Sequence, residues 1–136
     1  MKLEYPITFF YYKDLREVIS FYEEILGMHL TIDQGFCRIY AINERAGFGI
    51  VDEARGALKT SPDKPALLTL VVDDVDAWYA YLQKCSVAGL TSPLLHREIG
   101  VYGFFFQDPA GYKIEMQCFL EGGPTLPKQL SQPNAN

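Results

Sequence analysis

The residues with chemistry to offer are few. The run Lys113-Ile114-Glu115-Met116-Gln117-Cys118 alternates polar and apolar side chains. As a strand it presents Lys113, Glu115 and Gln117 on one face and Ile114, Met116 and Cys118 on the other. Glu115 has the widest reach. It can meet a cationic or hydroxyl-bearing ligand, act as a general base, or pair with Arg38, Arg97 or Lys113. The run His96-Arg97-Glu98 precedes Gly100 in a loop. Loops carry function more often than their share, but a solvated charged loop is the commoner outcome. His29 reads as a helix-terminal or surface histidine. Cys37 and Cys118 read as small buried hydrophobes rather than nucleophiles. No GxSxG, phosphate-binding or dinucleotide glycine pattern occurs.

The elements that must position these residues come in two sets. Residues 7–28, ITFFYYKDLREVISFYEEILGM, match residues 67–88, LLTLVVDDVDAWYAYLQKCSVA, at an offset of sixty. Ile7 meets Leu67, Asp14 meets Asp74, Val18 meets Trp78 and Phe21 meets Tyr81. A second match, at an offset of sixty-four, pairs AGFGIV (46–51) with AGYKIE (110–115). Two matches in the same order point to duplication of one unit. Each unit opens on an apolar strand, 7–12 and 67–72. A helix follows, capped by Asp14 with Glu17 as reciprocal partner in the first unit and by Asp74 in the second. Leu15, Val18, Ile19, Tyr22, Ile25 and Leu26 form one helical stripe, and Gly27 stops it. Further strands are expected near 29–33, 36–42 and 47–52, then 90–91, 102–107 and 112–119. Asp108-Pro109-Ala110-Gly111 makes the last turn.

The expected organisation is a first βαβββ module over 1–54, a linker over 55–65, a second module over 66–121 and a loose tail over 122–136. The composition is globular, with 49% hydrophobic and 21% charged residues. No window of eighteen apolar residues occurs, and no basic stretch leads into a long apolar run at the start; neither a membrane span nor a secretory signal is expected. The formal charge of -5 disfavours nucleic acid as a partner. Three cysteines without a CxxC spacing give neither a disulfide framework nor a thiolate zinc cage, so a reduced cytoplasm is the simplest home.

The doubled β-α-β-β-β pattern resembles the vicinal oxygen chelate superfamily, which includes glyoxalase I, extradiol dioxygenases and bleomycin resistance proteins. The resemblance spans residue 5 to about 119. It rests on KDLREVISFYEEILGM, on VDDVDAWYAYL and above all on FFFQDPAGYKIEM. It implies an α+β fold of two βαβββ modules, with a curled mixed sheet forming a cup and helices packed outside. Metal-using relatives place four ligands in the cup, from the first and last strand of each module. Those positions map here to Ile7, Val51, Leu67 and Glu115, and only Glu115 carries a metal donor. A divalent ion needs three or four N or O ligands. Neither a metal nor another cofactor is therefore expected, and the chain looks nearer to the metal-free bleomycin-resistance-like members.

If Ile7 points into the cup, Phe9 and Tyr11 do too, with Thr8, Phe10 and Tyr12 on the helix side. Leu67, Thr69, Val71, Lys113 and Glu115 follow in the second unit. On strand 102–107, Gly103, Phe105 and Gln107 share a face, taken as the inner one. The expected ligand contacts are Ile7, Phe9, Tyr11, Arg38, Val51, Leu67, Thr69, Arg97, Tyr102, Phe105, Lys113 and Glu115. Phe9, Tyr11 and Tyr102 either stack on a planar ligand or fill the cavity; Trp78 reads as core. The expected partners are a small, partly aromatic molecule and a second copy of the chain, since one module cannot cover its own concave face. The rival is a lyase, isomerase or dioxygenase relative, with Glu115 as base or ligand and Arg97 or Tyr11 as helper. A third possibility is a module whose cup has collapsed around its own aromatics.

Overall fold

A computed structural model describes residues 1–121 of the chain. The tail expected over 122–136 lies outside the described residues. The elements are β1 (Ile7–Tyr12), a 3-10 turn (Leu15–Glu17), a π-helical turn (Phe21–Ile25), β2 (His29–Asp33), β3 (Cys37–Asn43), β4 (Ala46–Asp52), β5 (Leu67–Val71), α1 (Val75–Lys84), β6 (Leu94–His96), β7 (Val101–Gln107) and β8 (Lys113–Phe119). They make two βαβββ modules, each with a four-stranded mixed sheet. The chain divides into two compact units. The first holds Met1–Pro65 together with Asp108–Gly111; the second holds Ala66–Gln107 and, among the described residues, 112–121. The segment 55–65 falls within the first of these units, and the turn after β7 groups with the first unit rather than with its own sheet.

In the first unit the strand order is β1-β4-β3-β2, with β1 parallel to β4 and the other pairs antiparallel. Alternation decides the faces. Phe10, Tyr12, Phe48, Ile50 and Tyr40 are buried beneath Leu15, Val18, Phe21 and Tyr22. The rings interlock, with Phe10 edge-on to Phe48 at 5.1 Å and Tyr22 against Phe48 at 4.9 Å between centroids. Asp108 is the buried charged residue here, only 1% exposed. Its Oδ2 accepts from the hydroxyls of Tyr12 (2.5 Å) and Tyr22 (2.8 Å), and its Oδ1 accepts from the Ala110 amide (2.9 Å). Burial first, then the charges of Tyr22 and Asp108, push the Tyr12 phenol far above its ordinary range.

The first helical segment departs from the expected regular α-helix. The Leu26 amide bonds to the Phe21 carbonyl, five residues back, at 2.9 Å. This wider turn accompanies the burial of Phe21 and Tyr22 side by side and the Tyr22 bond to Asp108. Asp14 caps the segment by accepting from the Arg16 amide at 3.0 Å, and its carboxylate grips the Arg16 guanidinium. Glu17 stays exposed and is not the expected reciprocal partner.

In the second unit the order is β5-β8-β7-β6, with β5 parallel to β8. Asp74 caps α1 through the Ala77 amide at 2.9 Å. The helix buries Val75 and Leu82, and Tyr79 meets Phe104 edge-on at 5.5 Å. Phe104, Phe106, Ile114 and Met116 are buried on that side of the sheet. The strand expected at 90–91 is instead β6, three residues later. Thr91 pairs outside any strand: its amide bonds to the Phe105 carbonyl and its hydroxyl accepts from the Phe105 amide, both at 2.9 Å. Pro93, which has no N–H to give, precedes β6.

Candidate functional site

The candidate site is the face of each sheet turned away from the helices. Strand register writes it out row by row. In the first unit the rows are Ile7–Gly47–Ala41, Phe9–Gly49–Ile39 and Tyr11–Val51–Cys37. In the second they are Leu67–Lys113–Gln107, Thr69–Glu115–Phe105 and Val71–Gln117–Gly103. The expected faces for Ile7, Phe9, Tyr11, Leu67, Thr69, Phe105, Lys113 and Glu115 agree with this register. The two faces differ in chemistry. The first is mostly hydrocarbon, aromatic and glycine, with the Cys37 thiol at one end; the second adds hydroxyl, carboxylate, amine and amide groups to Leu67, Val71 and Phe105.

Three expected contacts are corrected. Arg38 pairs with Ile50, so it lies on the helix side of the first sheet. There its guanidinium bonds to Glu23 at 3.1 Å and to Asp33 at 3.0 Å. Burial works against its charge, but Glu23 and Asp33 outweigh burial and raise its pKa. Tyr102 pairs with Cys118 on the helix side of the second sheet, and its hydroxyl donates to Asp76 of α1 at 2.5 Å. That bond raises the phenol's pKa. Val51 is on the expected face but is buried by the turn at Gly56, where a Cβ would lie 2.5 Å from Val51 Cγ1. Arg97 sits exposed in the turn closed by the Gly100 amide on the Arg97 carbonyl. His29 and His96 are exposed strand ends.

The mapped anchor positions do not form rows either. Ala46 and Gly47 lie inside β4, whereas Ala110 and Gly111 lie in the turn before β8. The match of AGFGIV with AGYKIE is therefore two residues out. Gly47 faces Ile7 as Lys113 faces Leu67, which makes Gly49, not Val51, the counterpart of Glu115. The row beside Glu115 supplies a threonine hydroxyl and a phenyl ring; its counterpart supplies Phe9, Gly49 and Ile39. Only Thr69 and Glu115 offer oxygen, which does not fit a divalent metal's donor set. Among the described residues no group of three or more His, Cys, Asp or Glu side chains could hold a metal ion.

Glu115 is half-buried, and its Oε1 accepts from the Thr69 hydroxyl at 2.9 Å. None of the three cations expected to pair with it does so within salt-bridge distance. Arg38 is committed elsewhere, and Lys113 lays its ammonium over the Phe105 ring at 4.6 Å from the centroid. The first unit also holds an open pocket of about 250 Å³, where Ile7, Ile32, Ile39, Ala41 and Gly47 meet Glu44. Of these residues only Ile7 was expected from sequence. Carrying the Val51 face across to β3 would have found Ile39 and Ala41, because Cys37 shares that face.

Doubled βαβββ modules, each with a four-stranded mixed sheet in the same strand order, define an α+β fold class. The chain belongs to the Glyoxalase/Bleomycin resistance protein/Dioxygenase superfamily, whose family model matches residues 6–116. No curated protein matches the sequence. Among solved structures it is similar to a glyoxalase/bleomycin resistance protein/dioxygenase from Nocardioides, with a TM-score of 0.71, 16% identity, and coverage of 93% of this chain and 91% of that one. It is also similar to lactoylglutathione lyase from Agrobacterium tumefaciens, with a TM-score of 0.67, 17% identity and coverage of 82% and 90%. A glyoxalase/bleomycin resistance protein from Catenulispora acidiphila gives a TM-score of 0.63 at 20% identity, with coverage of 83% and 96%. At these identities the likeness is one of fold. No helix among the described residues is long and apolar enough to cross a membrane.

Proposed function

We propose that the protein binds a small, partly aromatic molecule on these uncovered faces without a metal, and that it holds the molecule rather than transforming it. The observation that carries this function is the composition of the central rows. Phe9, Gly49, Ile39, Thr69, Glu115 and Phe105 offer rings, hydrocarbon, one hydroxyl and one carboxylate. Either unit's face recognises by apolar contact and stacking, and that of the second unit adds one anionic point for orientation. Phe9, Leu67, Val71 and Leu94 are exposed large hydrophobics. A second copy of the chain is proposed as their cover, because exposed apolar area of this kind favours association.

Metal analysis of the purified protein tests the central point: it should find less than one tightly bound divalent ion per chain. A stoichiometric ion together with lyase, isomerase or dioxygenase turnover would overturn the proposal. Glu115→Gln should weaken a cationic ligand by about tenfold, the scale of a lost charge-assisted hydrogen bond, and leave the fold intact. A variant that unfolds would assign Glu115 to structure. Light scattering that shows only monomer at micromolar concentration would remove the second copy.

A further inference from the structure

Resting on the function proposed above, we infer that the ligand of the first unit sits at the Ile7 end of the sheet face, and that it is a small organic amine. The three rows of that face are not equally open. At the Tyr11–Val51–Cys37 end, Val51 and Cys37 are each only 4% exposed. A Cβ on Gly56 would lie 2.5 Å from Val51 Cγ1 and 2.7 Å from Tyr11 Cε1, so the turn rests directly on this row. The turn is tied down. The Gly56 amide bonds to the Asp52 carbonyl at 2.9 Å, the Ala54 amide to Asp52 Oδ1 at 2.8 Å, and the Thr60 amide to Glu53 Oε2 at 2.9 Å. In the middle row the Phe9 ring lies on Gly49, where a Cβ would come within 2.4 Å of it. That row therefore presents the part-exposed Phe9 ring rather than a glycine floor.

The Ile7–Gly47–Ala41 row is the open one. It lies four residues along β1 from the plugged end, about 13 Å at the rise of a strand. Gly47 is covered less closely than Gly49: a Cβ there would lie 3.1 Å from Ile7 Cγ1, against 2.4 Å from the Phe9 ring at Gly49, and Gly47 lines the open pocket, as strand glycines do where a ligand approaches closely. Ala41 beside it adds one methyl group. Ile7, Ile32 and Ile39 make the walls of the 250 Å³ pocket. That volume holds about eight waters at some 30 Å³ each, the bulk of one substituted ring. Among the lining residues Glu44 is the one with a charge. An apolar hollow of ring size with a single carboxylate at its edge selects a compact hydrophobic cation.

The test is amide-resolved NMR of the full chain titrated with benzylamine, benzyl alcohol and benzoate. Benzylamine should shift the amides of Ile39, Ala41 and Gly47 most, with benzyl alcohol weaker and benzoate weakest. Glu44→Gln should weaken benzylamine about two- to fivefold, the scale of an exposed ion pair, and leave benzyl alcohol unchanged. Ala41→Phe should abolish the shifts while its amide spectrum stays that of the folded protein; if that variant does not fold, Ala41→Leu takes its place with the same expected loss. Shifts centred on Thr69, Phe105 and Glu115 would overturn the placement while sparing the proposed function. No preference for the amine would overturn the ligand class. No shift with any probe at millimolar concentration would overturn both, whereas the function itself falls only on the metal and turnover measurements.

Discussion

At the scale of single residues, glycine and aspartate carry more than the titratable side chains do. Gly49 and Phe9 form a matched pair, with the ring lying where a Cβ would be. Gly49→Ala should cost about 1 kcal/mol or less in urea unfolding, because the ring that must give way is part-exposed. Phe9→Ala in the same chain should recover most of that loss, a coupling that a double-mutant cycle reads directly. Asp108 concentrates three donors on one buried carboxylate. Asp108→Ala removes their shared acceptor and leaves the two phenols their own 3.0 Å hydrogen bond, so the urea midpoint should fall by the equivalent of about 1 to 3 kcal/mol. Tyr40 sets an alkaline limit. Burial, then the charge of Glu23, push its pKa from 10.0 to about 12. Its folded-state pKa is raised, so the stabilisation is complete below pH 10 and is lost as pH climbs through about 12. The loss amounts to about 2 to 3 kcal/mol. Tyr40→Phe should flatten this part of the stability curve in denaturant titrations read at several pH values.

At the scale of elements, the pattern of strands was legible because burial writes a period of two into the sequence. Phe10 and Tyr12 alternate with Phe9 and Tyr11, and Ile114 and Met116 with Lys113 and Glu115. Both helix caps were legible for a similar reason: an aspartate follows each apolar strand. What could not be read was register between strands. The Ala-Gly pair looks alike in β4 and in the turn before β8, yet hydrogen bonding separates the two by two positions. The parity of β3 was missed because Arg38 looks like a ligand contact until Glu23 and Asp33 are seen to claim it. The π-helical turn was illegible too: it occurs together with a tyrosine reaching a carboxylate 86 residues away in sequence, which no local pattern announces. Asp74→Ala, which removes the cap of α1, should destabilise the chain by about 1 kcal/mol in thermal unfolding.

At the scale of the whole molecule, duplication has produced two units of the same topology with different surface chemistry. The first unit's uncovered rows keep glycines at 47 and 49, where the second has Lys113 and Glu115. One scaffold therefore offers a face floored by glycine and another that sets charged and polar groups among Leu67, Val71 and Phe105. The first unit is also incomplete as a contiguous stretch of chain, because Asp108–Gly111 belongs to it. A fragment ending at Pro65 lacks the Asp108 carboxylate that accepts from both Tyr12 and Tyr22. It should give the broad amide spectrum of a loosely packed chain, and a sharp native-like spectrum from that fragment would contradict the role given to Asp108. The same borrowed turn bears on how the protein is made. On the ribosome, Pro65 emerges about forty residues before Asp108, a lag of roughly two to nine seconds at ordinary rates of translation. Throughout that interval the nascent first module carries two core phenols still awaiting their carboxylate. Its final closure is timed by synthesis of the second module rather than by its own end.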